Sequence, residues 1–180
     1  ERARAAPGKY RYASAGVGSP HHLAGELFRE RTGLGLQHAP YRGAAPAVQD
    51  LLGGQSPFGF IDTASVQQYI ASGKLRALGV ASPARLTTMP EVPTFTEQGV
   101  KDFTAYAWQG LVVPSGTSPE VISKLSKALQ EALNSTQVKA RFQALALEGM
   151  PGTPQQMTTY VDAERERWGK VIKANSIRLD

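Results

Sequence analysis

The sequence predicts an α/β chain built on a parallel sheet, and three observations carry that prediction. Strand-like apolar runs alternate with helical periodicity three times between residues 10 and 82. The helical runs open on capping residues or prolines and close on glycine or just before it. The 18 glycines and 12 prolines fall largely between these runs. Strands alternating with helices imply right-handed crossovers and a parallel sheet with helices on its faces.

Taken in order, Tyr10–Ser14 reads as a strand after the Pro7-Gly8 turn. Ser19 is placed as an N-cap with Pro20 in the first turn behind it. Leu23, Leu27 and Phe28 share the next helix face, and Gly33 stops that helix. Leu34–Tyr41 is a second strand. Ala44–Leu52 is a second helix, with Pro46 in its first turn and Gly53-Gly54 at its end. Pro57–Ile61 is a third strand, Thr63–Ala71 a third helix and Leu75–Ser82 a fourth strand. Prolines 83, 90 and 93 break the rhythm, with a short helix expected at Thr94–Gln98. Ala105–Val113 reads as a longer strand. Ser118-Pro119 opens a helix striped by Val121, Ile122, Leu125, Leu129 and Leu133. A helix over Thr136–Ala146 follows. Thr153-Pro154 opens the last helix, running to about Ala174, and Ser176–Leu179 is expected to be a strand.

Composition narrows the function. Hydrophobic residues make up 41% of the 180, enough for a core. The net charge of +5 comes from scattered Lys and Arg that alternate with acids on helices, as in Glu164–Arg167. No aromatic-interleaved basic patch appears, so nucleic acid is not an expected partner. A mild positive field favours a small anionic ligand. The chain has no cysteine, which excludes thiol catalysis, disulfides and thiolate metal sites. Three histidines with no cysteine do not make a metal site, and no cofactor is expected.

The most informative stretch is YASAGVGSPHHLAGELF, residues 12–28. It sets a strand, a glycine-rich turn and a helix start in succession, without the lysine of a phosphate-binding loop. Gly16 and Gly18 let backbone approach a ligand. The helix start presents free N–H groups and about half a positive charge, and Ser19 adds a hydroxyl. Such a turn holds an anion without a formal cation. On pattern alone it is equally a plain strand–helix turn with a serine cap. Ser19, His22 and Asp62 carry the letters of a hydrolase triad, but Ser19 lacks the G-x-S-x-G elbow. The run AGVGS is not a dinucleotide fingerprint. An enzyme is therefore not expected.

Further segments carry a resemblance: PYRGAAPAVQDLLGGQ at 40–55, FIDTAS at 60–65, GKLRALGVASPAR at 73–85, MPEVPTFTEQG at 89–99 and WQGLVVPSGTSPEVISKL at 108–125. With residues 12–28, and in this order and spacing, they resemble the substrate-binding proteins of tripartite tricarboxylate transporters, the Bug family. The resemblance implies a type II periplasmic binding protein with two α/β lobes closing on a small carboxylate, which passes to a membrane permease. It implies a second lobe over residues 8–104. Residues 105–180 would then be a hinge strand and the C-terminal helices of an incomplete first lobe, whose N-terminal part this chain is expected to lack. The expected fold is thus a parallel-rich sheet flanked by helices, plus a C-terminal helical segment.

The expected ligand residues are Ala15, Gly16, Val17, Gly18 and Ser19 in the turn, with His22, Tyr41 and Asp62. His22 is preferred to His21 as the cleft-facing histidine because it stands where the family's recurrent histidine does. Tyr41 either meets a ligand or fills the core. Asp62 either caps the next helix or accepts from a ligand amine or hydroxyl. Arg42 and Ser65 are weaker candidates, His38 is expected to be structural, and Trp108 to pack at the hinge. The unpartnered C-terminal stripe is expected to drive homo-oligomerisation. The competing function is a degenerate binding-protein domain serving as a sensory or protein-interaction module.

Overall fold

A computed structural model describes residues 2–179. The elements in chain order are α1 (Arg2–Ala5), β1 (Arg11–Ser14), α2 (Pro20–Thr32), β2 (Gln37–Pro40), α3 (Ala44–Leu52), β3 (Phe58–Gly59), α4 (Thr63–Ala71), α5 (Pro119–Asn134), α6 (Thr136–Ala144) and α7 (Pro154–Ala174). The fold is α/β, as the alternation predicts. All three strands are parallel, in the order β2-β1-β3. Tyr12 stands opposite His38 on one side and Phe58 on the other. Central β1 is buried at Tyr12, Ala13 and Ser14, all 0% exposed.

The chain divides into two compact units, residues 1–107 with 168–180, and residues 108–167. The boundary at 167–168 falls within α7. In the first unit, Leu27, Phe103 and Val171 form a core packed by Phe28, Phe60, Phe95 and Trp168. A second cluster joins Val80, Met89 and Val92. The second unit contains α5 and α6. The α5 stripe stays open, with Val121, Leu125 and Leu129 each about two-fifths exposed.

The helix signals translate directly. Ser19, Asp62, Ser118 and Ser135 all cap through a side-chain oxygen that accepts a backbone N–H. Gly33 ends α2 in the left-handed conformation. Strands are shorter than their apolar runs, and four expected elements differ in kind. Residues 75–82 are irregular apart from one parallel bridge, Val80 to Thr94. Residues 105–113 carry no strand, although Leu111 and Val112 are 59% and 81% exposed. Ladder pairing makes a strand, and among the described residues no neighbour supplies one there. Residues 94–98 are successive turns, closed as a capping box: Thr94 N–H donates to Glu97 Oε2 (2.7 Å) and Glu97 N–H to Thr94 Oγ1 (3.1 Å). Residues 176–179 form no strand.

Candidate functional site

The parallel sheet places three loops at one edge, after the carboxyl ends of β1, β2 and β3. These are residues 15–19, 41–43 and 60–62. Backbone bonds tie them side by side. Tyr41 N–H donates to Ser14 O, Gly43 N–H to Ala15 O, and Phe60 N–H to Ala13 O, each at 3.1 Å. With strand order β2-β1-β3, the chain crosses over β1 between its second and third strands. Open α/β sheets bind ligands where such crossovers diverge, here between the β1 and β3 ends.

The Ala15–Ser19 loop is more self-contained than its sequence suggests. Gly16 N–H donates to Ser14 Oγ (3.1 Å), and Gly18 N–H to His22 Nδ1 (3.1 Å). Ser19 N–H reaches Gly16 O at 3.3 Å. The Ser19 hydroxyl donates to Gly16 O (2.7 Å) while accepting from His22 N–H (3.2 Å). Its expected role as a ligand donor is thus taken up by the loop itself. The amides of Val17 and His21 find no acceptor among the described residues, so they are the donors this helix start offers. The Val17 side chain is 45% exposed.

Two glycines fix the loop's shape. Gly16 has φ +127°, and a Cβ there would lie 3.0 Å from the Tyr41 carbonyl oxygen. Gly18 has φ +73°, and its Cβ would meet only the end of the Leu179 side chain. Backbone cannot swing aside as a side-chain end can. Gly16→Ala is therefore expected to cost about 1–3 kcal/mol, and Gly18→Ala about 1 kcal/mol. Urea unfolding of the two variants checks that order; equal losses would contradict it.

His22 was expected on the cleft side and instead turns inward. It is 7% exposed. Its ring stacks on His38 at 3.8 Å and 6°, and its Nε2 lies 3.8 Å from Glu26 Oε1. His38, the expected structural histidine, has Nε2 2.6 Å from Ser14 Oγ. Glu26, 3% exposed, accepts from the Tyr12 hydroxyl (2.6 Å) and from Arg29 Nη1 (2.5 Å). Burial lowers the affinity of both rings for a proton, His38 to about 4, with His22 beside it adding to the effect. Burial also pushes the Tyr12 phenol up, and Glu26 adds to that.

His21, the alternative, reaches the β3 loop. Its Nε2 lies 3.1 Å from the Asp62 amide nitrogen and 3.5 Å from Asp62 Oδ2. A bare Nε2 accepts the amide; a protonated one donates to the carboxylate; it does not do both. Asp62 caps α4, with Oδ1 accepting from Ser65 N–H (2.9 Å) and Oγ (2.8 Å). His21, and after it Ser65, holds the Asp62 carboxyl down to about 2 against the opposing effect of burial. Asp62 is thus ionised and engaged as a cap. Tyr41 donates its hydroxyl to Asp50 Oδ2 (2.7 Å), and that bond raises its phenol. Ser19, His22 and Asp62 are not arranged as a hydrolase relay: Ser19 serves the loop and His22 serves Gly18.

Sequence reasoning missed Ser14, Glu26 and Tyr12. The His22, Glu26, Arg29 spacing was visible on one helix stripe, but its burial under β1 was not. Among the described residues, no group of three or more His, Asp or Glu is placed to hold a metal. No helix there is long and apolar enough to cross a membrane.

These features define an α/β unit with its open edge at the carboxyl ends of three parallel strands. The chain matches the tripartite tricarboxylate transporter family receptor over residues 1–177, and it belongs to that family. It is 38% identical over 176 residues to Protein BugT of Bordetella pertussis, covering 98% of this chain and 54% of BugT. It superposes on R. palustris Rpa4515 with adipate at a TM-score of 0.86 and 30% identity, covering 98% of this chain and 59% of that one. MatC of Rhodopseudomonas palustris with bound malate gives 0.71 and 28%, covering 92% and 57%. The chain thus spans little more than half of each of these proteins. The family is one of solute receptors, not of enzymes.

Proposed function

We propose that this chain is part of a periplasmic receptor that captures a small carboxylate for a tripartite tricarboxylate-type permease. The observation that carries the reading is the Ala15–Ser19 loop, tied into the sheet's carboxyl edge of a chain so similar to a protein solved with adipate. An α2 start with two uncommitted amides suits a carboxylate oxygen, and binding through dipoles permits release. Residues 8–104 act as the second lobe. Residues 105–180 supply the hinge and the C-terminal helices of the first. The open α5 stripe, with Leu111 and Val112, is the surface through which copies of this chain associate.

Adipate and malate are the first probes, because two similar proteins bind them. A melting temperature that rises with the concentration of either acid is the expected result. No shift from either acid, nor from a panel of other mono- and dicarboxylates, in a well-folded chain would overturn the reading and favour the interaction-module alternative. Ser19→Ala is expected to lower stability by roughly 1 kcal/mol through its lost cap, and to weaken binding only through loop shape. Light scattering tests association: a monomer at high concentration would remove it.

A further inference from the structure

We propose that His22 and His38 are positioning residues for the Ala15–Ser19 loop: as a neutral stacked pair they hold its two glycines in the receptive shape, and proton uptake by the pair releases it. The functional half of this proposal rests on the carboxylate reading above. The mechanical half does not.

The geometry is specific about the His22 proton. Gly18 N–H donates to His22 Nδ1 at 3.1 Å, so that nitrogen is bare and the ring proton sits on Nε2, toward Glu26. Ser14 Oγ accepts from Gly16 N–H and lies 2.6 Å from His38 Nε2, which takes the serine proton in the tautomer that leaves Nε2 bare. Both glycines are thereby anchored on imidazoles lying face to face at 3.8 Å. A proton on His22 Nδ1 would set two N–H groups against each other. A proton on His38 Nε2 would turn the Ser14 hydroxyl from donor to acceptor and send its hydrogen to Gly16 O, 3.3 Å away. Either event rewires the loop.

The groups facing the pair come from three elements. Tyr12 and Ser14 stand on β1, and Tyr12 stacks on His38 at 5.1 Å. Glu26 and Arg29 come from α2, and His38 itself from β2. The Glu26 carboxylate attracts a proton to the pair, but Tyr12 and Arg29 already engage both its oxygens. Arg29 and burial oppose protonation, and two stacked rings do not both accept a proton. The pair is therefore neutral at pH 7 and takes up a proton only in acid, His38 at about pH 4. A purely packing role for the rings would need neither the bare Nδ1 of His22 nor the 2.6 Å contact of His38 with Ser14.

The test uses the isotope-labelled 180-residue chain. Imidazole and amide nitrogen resonances are followed from pH 7.5 to 4. The expected result is a His22 ring protonated on Nε2, with Gly16 and Gly18 amides shifting in step with the imidazoles. Calorimetry with malate and with adipate, at pH 7.5 and 4, reads the consequence. His22→Leu, which removes the acceptor, is expected to weaken binding about tenfold or more. His22→Asn, whose Oδ1 takes the Gly18 N–H, is expected to restore it. The double variant His22→Asn with His38→Gln is expected to lose less affinity on acidification than the parent. The acid's own ionisation is common to both and cancels. Glycine amides indifferent to the imidazole titration would overturn the proposal, as would His22→Leu binding like the parent. If neither acid binds while the amides still follow the imidazoles, the loop linkage stands and the carboxylate reading falls. Should His22→Leu fail to fold, the resonances of the unmodified chain decide alone.

Discussion

The Phe103→Ala chain is expected to unfold at markedly lower urea than the parent, having lost about 4 kcal/mol. Phe103 is 1% exposed. It meets Phe95 edge-on at 4.8 Å and Phe28 at 5.6 Å, with Phe60 tilted at 6.2 Å. Truncation removes the transfer free energy of the ring and leaves a hole among aromatic rings that cannot collapse without losing one another. Phe28 comes from α2, Phe60 from the β3 loop, Phe95 from the turns after Val80, and Val171 from α7. One residue therefore ties four separate stretches of the first unit. A domain of this size is stable by only some 5–15 kcal/mol, so the loss is a large share. Trp168 packs against this cluster and its fluorescence reports the transition; Trp108→Phe silences the other indole. Phe103→Leu, which refills most of the hole, is expected to lose less than half as much. A loss under about 1 kcal/mol for the alanine variant would show that this cluster does not hold the unit together.

How far the sequence could be read follows from what each signal depends on. Helix ends are local: a capping hydroxyl or carboxylate acts on amides two or three residues away. Ser19-Pro20, Asp62 and Ser118-Pro119 therefore appear where their spacing put them. Strands depend on a neighbour. The run LRALGVAS at 75–82 has the right side chains yet makes one bridge, and AYAWQGLVV at 105–113 makes none. Apolar pattern states a preference for burial without naming the partner that would supply a ladder.

The site shows the same division. The glycine turn, its place after β1 and its serine cap were legible. The orientation of His22 was not, because it depends on His38 and Ser14 arriving from β2 and β1 to meet it. Loop donors counted as free from the sequence are consumed for the same reason. Ser14 lies two residues before Gly16 and His22 four residues after Gly18, close enough to satisfy both. His21 and Asp62 are 41 residues apart, and their contact exists only because β3 lies beside β1.

Gly25 is where helix propensity and packing disagree most sharply, and packing is expected to win. Alanine in a helix interior is favoured over glycine by about 1 kcal/mol. At Gly25, however, a Cβ would fall 2.1 Å from Tyr12 Cε2, 2.4 Å from Cζ and 2.8 Å from Cδ2. The Tyr12 ring has nowhere to go. It is fully buried, stacked on His38, edge-on to Phe60 at 5.7 Å and bonded through its hydroxyl to Glu26. Overpacking costs about 1–3 kcal/mol or more. Shifting the phenol also strips the buried Glu26 carboxylate of a donor, a further 1–3 kcal/mol or so. Against the propensity gain, Gly25→Ala is expected to destabilise by about 3 kcal/mol. Gly169 supplies the opposite case on α7: it is exposed, and nothing lies within 4 Å of its added Cβ. Gly169→Ala is therefore expected to stabilise by up to about 1 kcal/mol. Opposite signs for one chemical change in two helices, read by urea unfolding, would establish that Gly25 is glycine to admit Tyr12. Gains at both positions would mean that the ring has room to move. The packing of Tyr12 would then not hold His38, and the loop above it would need another support.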